Sequence, residues 1–147
     1  MTEESKTKLD VVLNALYESI SFKSGGSPDL VKLKSLFVDG ARLIRTDKEN
    51  ITQMSVDDFI QNYKSRIDSG EIKEFSEFEI SRKTDNFGRI MQVFSTYGTD
   101  FKTAEGRLMM RGINSIQLIE VDNDWKVATI LWYPEDEDTK IPSKYIK

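Results

Sequence analysis

Apolar residues in roughly the first seventy positions recur every three to four residues, and beyond them the period shortens to two. Leu9, Val12, Leu13, Leu16 and Ile20 mark one face of an amphipathic helix predicted over about 5–22, with Glu3 and Glu4 where negative charge suits the helix dipole. It stops before Ser24-Gly25-Gly26-Ser27. Ser27 is a natural N-cap and Pro28 a natural first residue for a second helix, about 28–37, carrying Leu30, Leu33 and Leu36 or Phe37. A short strand, about 41–45, follows Asp39-Gly40, and the polar stretch 46–53 is predicted as a surface loop. Ser55-Val56-Asp57-Asp58 opens a third helix, about 55–69, in which Val56, Phe59, Ile60, Tyr63 and Ile67 share a face and Gly70 serves as the C-terminal cap.

Strands are predicted over about 73–84, 88–99, 105–121 and 124–134. Phe78 and Ile80 alternate with Glu77 and Glu79, and Gln92, Phe94 and Thr96 alternate with Met91, Val93, Ser95 and Tyr97. Asp85-Asn86-Phe87-Gly88 is a hairpin turn, Gly98 to Gly106 a longer connection, and Asp122-Asn123-Asp124 a turn into the last strand. On that strand, parity groups Trp125, Val127, Thr129, Leu131 and Tyr133 against Ala128, Ile130 and Trp132. Both faces are then covered, one by the helices and the other at the seam of a homodimer. The order implies an α+β fold over residues 1–147 in one domain: a curved antiparallel sheet wrapped on three N-terminal helices, forming a cup. The alternative is another helix-covered antiparallel sheet such as a helix-grip domain, whose long C-terminal helix has no room in Ile141-Pro142-Ser143-Lys144-Tyr145-Ile146-Lys147.

Composition narrows the chemistry. The 147 residues carry 21 basic and 25 acidic side chains, a net charge of −4, and the basic residues are scattered, so no nucleic-acid footprint is present. Without an apolar run long enough to span a bilayer or a hydrophobic stretch behind the polar N-terminus, the expectation is a cytoplasmic chain with no membrane partner. There is no cysteine and no histidine. Serine–histidine and cysteine–histidine catalysis and histidine-ligated metals are excluded in their ordinary forms, so any acid or base is Asp, Glu, Lys or Tyr. Glu135-Asp136-Glu137-Asp138 is predicted as a solvated acidic tail, and neither a metal nor a cofactor is expected.

Leu36-Phe37-Val38-Asp39-Gly40-Ala41-Arg42-Leu43, Ser55-Val56-Asp57-Asp58-Phe59-Ile60, Arg111-Gly112-x-Asn114-Ser115-x-x-Leu118 and Trp125-Lys126-Val127-x-x-Ile130 occur in an order that resembles the nuclear-transport-factor-2-like superfamily, and within it the SnoaL-like group. The resemblance covers essentially the whole chain and implies a conical α+β barrel of cystatin-like fold whose open end holds a small apolar ligand. That superfamily includes ketosteroid isomerase, polyketide cyclases, scytalone dehydratase and transport adaptors, so it does not select a function. Laid along this chain, the isomerase pattern puts its phenolic donor near Tyr17, its second oxyanion donor near Asn114 and its general base near Arg45, where an arginine cannot abstract a proton.

The candidate ligand-binding residues are Tyr17, Asp39, Gln92, Arg111 and Asn114. Tyr17 lies between Leu13 and Ile20, where a buried phenol needs a partner. Asp39 is either a turn residue beside Gly40 or a base at the mouth of the cup. Arg111 and Asn114 have opposite parity, so they cannot share a cavity unless a β-bulge intervenes, for which Gly112 is a candidate. If Arg111 points inward it favours a carboxylate or carbonyl ligand; if outward it is a surface or dimer contact. Three functions follow: a small-molecule-binding protein with an apolar pocket, an isomerase, cyclase or dehydratase acting on a carbonyl-bearing substrate, or a dimeric interaction module. The first fails if Phe78, Phe94 and Tyr97 plug the cup, and the second needs a carboxylate in the same cavity.

Overall fold

The computed structural model describes residues 1–147. Three helices, α1 (Glu3–Ile20), α2 (Leu30–Ser35) and α3 (Val56–Asp68), pack against six strands, β1 (Phe37–Thr46), β2 (Ile51–Ser55), β3 (Ile72–Phe87), β4 (Ile90–Thr103), β5 (Gly106–Val121) and β6 (Asp124–Pro134). Local chemistry sets the helix ends. Thr2 caps α1 by accepting from Ser5 N at 3.1 Å, and Ser55 caps α3 by accepting from Asp58 N at 3.0 Å. Gly70, with φ +83, follows α3 in the left-handed conformation, and its N–H returns to the Ile67 carbonyl at 3.0 Å. The second helix is shorter than expected, because Asp29 rather than Ser27 is its cap, accepting from Lys32 N at 3.0 Å.

The sheet order is β2-β1-β6-β5-β4-β3, and every pairing is antiparallel except β1 with β6. The curved sheet on three helices is thus the architecture, as a mixed rather than a purely antiparallel sheet. The stretch expected as a loop at 46–53 contains the start of β2, which forms a hairpin with β1. The connection expected between Gly98 and Gly106 is instead strand on both sides of a two-residue turn, with Thr103 opposite Gly106. Asp122 and Asn123 both have positive φ, 51 and 69, which closes β5 onto β6 with the twist a two-residue hairpin requires.

The core lies between α1 and the concave face, where Leu9, Leu13, Val93, Ile116, Leu118 and Val127 are fully buried. A β-bulge in β6 changes which residues reach it. Gln117 pairs with Thr129 and Leu118 with Val127, so Ala128 is extra and the parity of β6 reverses there. Trp125 and Val127 therefore face inward together with Ile130, and Leu131 faces outward, correcting the strict alternation along this strand. The outer face is partly covered by the chain's own C-terminal segment, where the Tyr145 ring meets Phe94 at 5.1 Å between centroids and Thr96 Oγ1 donates to the Tyr145 carbonyl at 2.6 Å. The acidic run is not simply solvated: Glu135 pairs with Arg111 at 2.7 Å, and Asp136 accepts from Asp138 N and Thr139 N at 2.9 and 2.8 Å in a tight turn.

Candidate functional site

A cavity of about 260 Å³ opens between the helices and the concave face. Its walls are apolar, with Leu16 from α1, Leu33 from α2, Phe59 and Tyr63 from α3, and Phe75 and Trp132 from the sheet. Phe59 meets Tyr63 in a stack at 6.1 Å and Trp132 edge-on at 6.2 Å. Phe78 and Phe94 do not plug it, since both lie on the outer face with 45% and 37% of their surface exposed.

Polar groups interrupt the apolar wall in two places: Glu77 on β3, Tyr97 and Thr99 on β4 and Asn114 on β5, and the run Arg45, Thr46 and Asp47 at the end of β1. Glu77 is fixed by the segment after α1. Phe22 bridges to Phe75 by two backbone hydrogen bonds, 2.7 and 3.1 Å, and Ser21 Oγ accepts from Glu77 N at 3.0 Å. Its carboxyl accepts from Asn114 Nδ2 at 3.2 Å. Burial pushes the Glu77 carboxyl up to about 7, against the opposing pull of that bond. The phenols of Tyr17, Tyr63 and Tyr97 are all pushed up as well, by burial first and then by the nearby Glu77 charge.

Behind this floor runs a hydrogen-bonded chain whose direction follows from its ends. Glu79 Oε2 accepts from Ser95 Oγ at 2.5 Å, which commits the single serine proton. The Tyr17 hydroxyl, 2.6 Å from Ser95 Oγ, must then donate to it, and accepts from Asn114 Nδ2 at 3.1 Å. Glu79 Oε1 is gripped by Arg82 through Nε and Nη2 at 2.9 and 2.7 Å, and Arg82 Nη1 reaches Asp10 at 2.7 Å. Tyr17 and Asn114 thus come together as neighbours, but the tyrosine proton points away from the cavity. Both hydrogens of the Asn114 amide are also committed, one to Tyr17 and one to Glu77.

The other candidates lie elsewhere. Asp39 is exposed on β1 away from the cavity, so it is no base at its mouth. Gln92 has the parity of Phe94 and Thr96, faces outward and donates to Asp85 at 3.4 Å. Arg111 faces outward onto Glu135, because β5 keeps its alternation through Gly112 and the bulge lies in β6 instead. Gly112 has a different role: a Cβ there would stand 2.5 Å from the Tyr97 hydroxyl and 2.5 Å from the Tyr133 carbonyl oxygen, so glycine leaves room for the phenol. The reading from sequence missed Glu77. Its signal was the alternation of Glu77 and Glu79 with Phe78 and Ile80, which permits the acidic side to face in.

No group of three or more Asp or Glu side chains comes together to hold a metal ion, and no helix is long and apolar enough to cross a membrane. The sequence matches no family model and no curated protein. In structure the chain is similar to a proposed aromatic ring hydroxylase from Novosphingobium aromaticivorans (TM-score 0.77, 9% identity, 97% of this chain and 93% of that one). It is also similar to a proposed dehydratase of the NTF2-like family from Streptomyces avermitilis (TM-score 0.69, 12% identity, 92% and 99%). A protein of unknown function with a cystatin-like fold from Nostoc punctiforme aligns comparably (TM-score 0.67, 10% identity, 93% and 96%). The chain therefore has the cystatin-like fold of the NTF2-like proteins.

Proposed function

We propose that this chain binds a small apolar molecule bearing a carbonyl or hydroxyl oxygen, and that Glu77 meets that oxygen or the carbon beside it as an acid–base group. The observation that carries the reading is a single carboxyl at the floor of an apolar cavity, pushed up to about 7 by burial. Near neutral pH such a group is populated in both forms: protonated, it donates to a ligand oxygen; ionised, it accepts a proton from an acidic C–H or O–H. The Tyr97 hydroxyl lines the same cavity, makes no hydrogen bond to protein, and is close enough to Glu77 to feel its charge, so it supplies a donor for an oxygen that gains negative charge. Enolisation is the simplest step this pair supports. Glu77 takes the proton α to a carbonyl, the electron pair moves onto the oxygen beside Tyr97, and the Glu77 proton returns to carbon. The dehydratase description of the S. avermitilis neighbour is in keeping with proton transfer of this kind.

The test uses 2-acetylnaphthalene. Calorimetry should give saturable one-to-one binding, and NMR in deuterated buffer should show the acetyl protons exchanging faster with the wild-type chain than with Glu77→Gln. Saturable binding without Glu77-dependent exchange makes the chain a binding protein alone, and no saturable binding removes the pocket as its function.

A further inference from the structure

Arg45 stands on β1 two residues beyond Leu43 and four beyond Ala41, both buried against the core, so it shares their concave face. It pairs in register with Trp132 and lines the cavity while remaining exposed, which puts it at the rim. Its guanidinium is unengaged. Arg66, Arg82, Arg107 and Arg111 pair with carboxylates, Arg89 donates to the Glu120 carbonyl and Arg42 faces the Gln53 side chain, whereas Arg45 makes neither an ion pair nor a hydrogen bond. The neighbouring Asp47 lines the same rim and feels the Arg45 charge but forms no ion pair with it, its Oδ1 accepting instead from Glu49 N and Asn50 N at 2.8 and 2.7 Å.

Resting on the pocket reading above, we propose that the ligand is an amphipathic carboxylate, its anionic head on Arg45 at the rim and its neutral oxygen on Glu77 at the floor. The orientation is forced by charge. Arg45 is the one cationic side chain of the lining, and a carboxylate pushed to the floor would meet Glu77 in a site that already disfavours one charge. The arginine fork suits a carboxylate, while Phe59 and Trp132 give the apolar body its surface.

The probes are 6-acetyl-2-naphthoate and its methyl ester, titrated by calorimetry at about pH 6, where the probe carboxylate is ionised and Glu77 is mostly protonated. The anion should bind about tenfold more tightly than the ester to the wild-type chain. Arg45→Gln should abolish that difference and Arg45→Lys should keep most of it, with anion binding changing far more than ester binding; added salt should weaken the anion alone. If the ester and the anion bind alike, or Arg45→Gln leaves the preference intact, the role of Arg45 is overturned and the pocket stands. If neither probe binds, the pocket reading falls and this inference with it.

Discussion

Asn114 Nδ2 lies 3.2 Å from Glu77 Oε2, and it is the only side chain hydrogen-bonded to that carboxyl. The bond ties the cavity floor to the buried chain of Tyr17, Ser95 and Glu79, and it is the one contact that favours the ionised form of Glu77 against the burial that opposes it.

Removing that donor should therefore push the Glu77 carboxyl further up. In Asn114→Ala, the side-chain carbon resonance of Glu77 followed by NMR should titrate at higher pH than the wild-type value of about 7. An unchanged or lower midpoint would show that the amide does not set the charge state.

Glu77 also makes stability depend on pH, with a sign opposite to that of a salt-bridged carboxylate. Its folded value, about 7, is above the ordinary 4.5, so the folded chain holds the proton more tightly than the unfolded chain does. The contribution of this group is full below its unfolded value and is lost as pH rises through the folded one, by on the order of 3 kcal/mol. Urea unfolding between those limits should show wild type losing stability relative to Glu77→Gln, with no further divergence well above neutrality. Parallel profiles would contradict the shift.

Much of the frame is legible in the sequence, because helix caps and periods are local. Ser55 with Asp57 and Asp58, the apolar face from Leu9 to Ile20, and Gly70 behave as their chemistry predicts. The parallel pairing of β1 with β6 leaves no local signal, since it joins Leu43 to Ile130 with most of the fold between them. Asn114 follows simple alternation, whereas β6 departs from it at a bulge that no glycine marks. Glu77 was hidden by the rule that apolar residues point inward. On β3 the rule inverts: Phe78 covers Gly98 on the outer face, where a Cβ on that glycine would lie 2.6 Å from the ring, and the acidic residues take the concave side.

Tyr17 supports the site without lining it, so its substitution separates folding from binding. Tyr17→Phe takes the donor from Ser95 Oγ and the acceptor from one Asn114 hydrogen, while the bonds of Ser95 to Glu79 and of Asn114 to Glu77 remain, and it should destabilise the chain by about 1 to 3 kcal/mol. Affinity for 2-acetylnaphthalene should change little, because the phenolic proton points to Ser95. A large loss of affinity at unchanged stability would place the hydroxyl in the cavity instead.

Gly112 is the sharpest steric test of how Tyr97 reaches the floor. In Gly112→Ala the new methyl meets a backbone oxygen on β6 as well as the phenol, and a strand carbonyl cannot rotate away as a side chain can. The substitution should destabilise the chain by about 1 to 3 kcal/mol and shift Tyr97 from its position over Gly112. Adding Tyr97→Phe removes the hydroxyl contact but leaves the ring carbon Cζ, 2.7 Å from the Cβ position, and the Tyr133 carbonyl, so the double variant should recover only a minor part of the loss. Full recovery would mean that the ring and the Tyr133 carbonyl both yield and the hydroxyl alone requires the glycine; no recovery would mean that the ring carbon and the backbone oxygen set the cost.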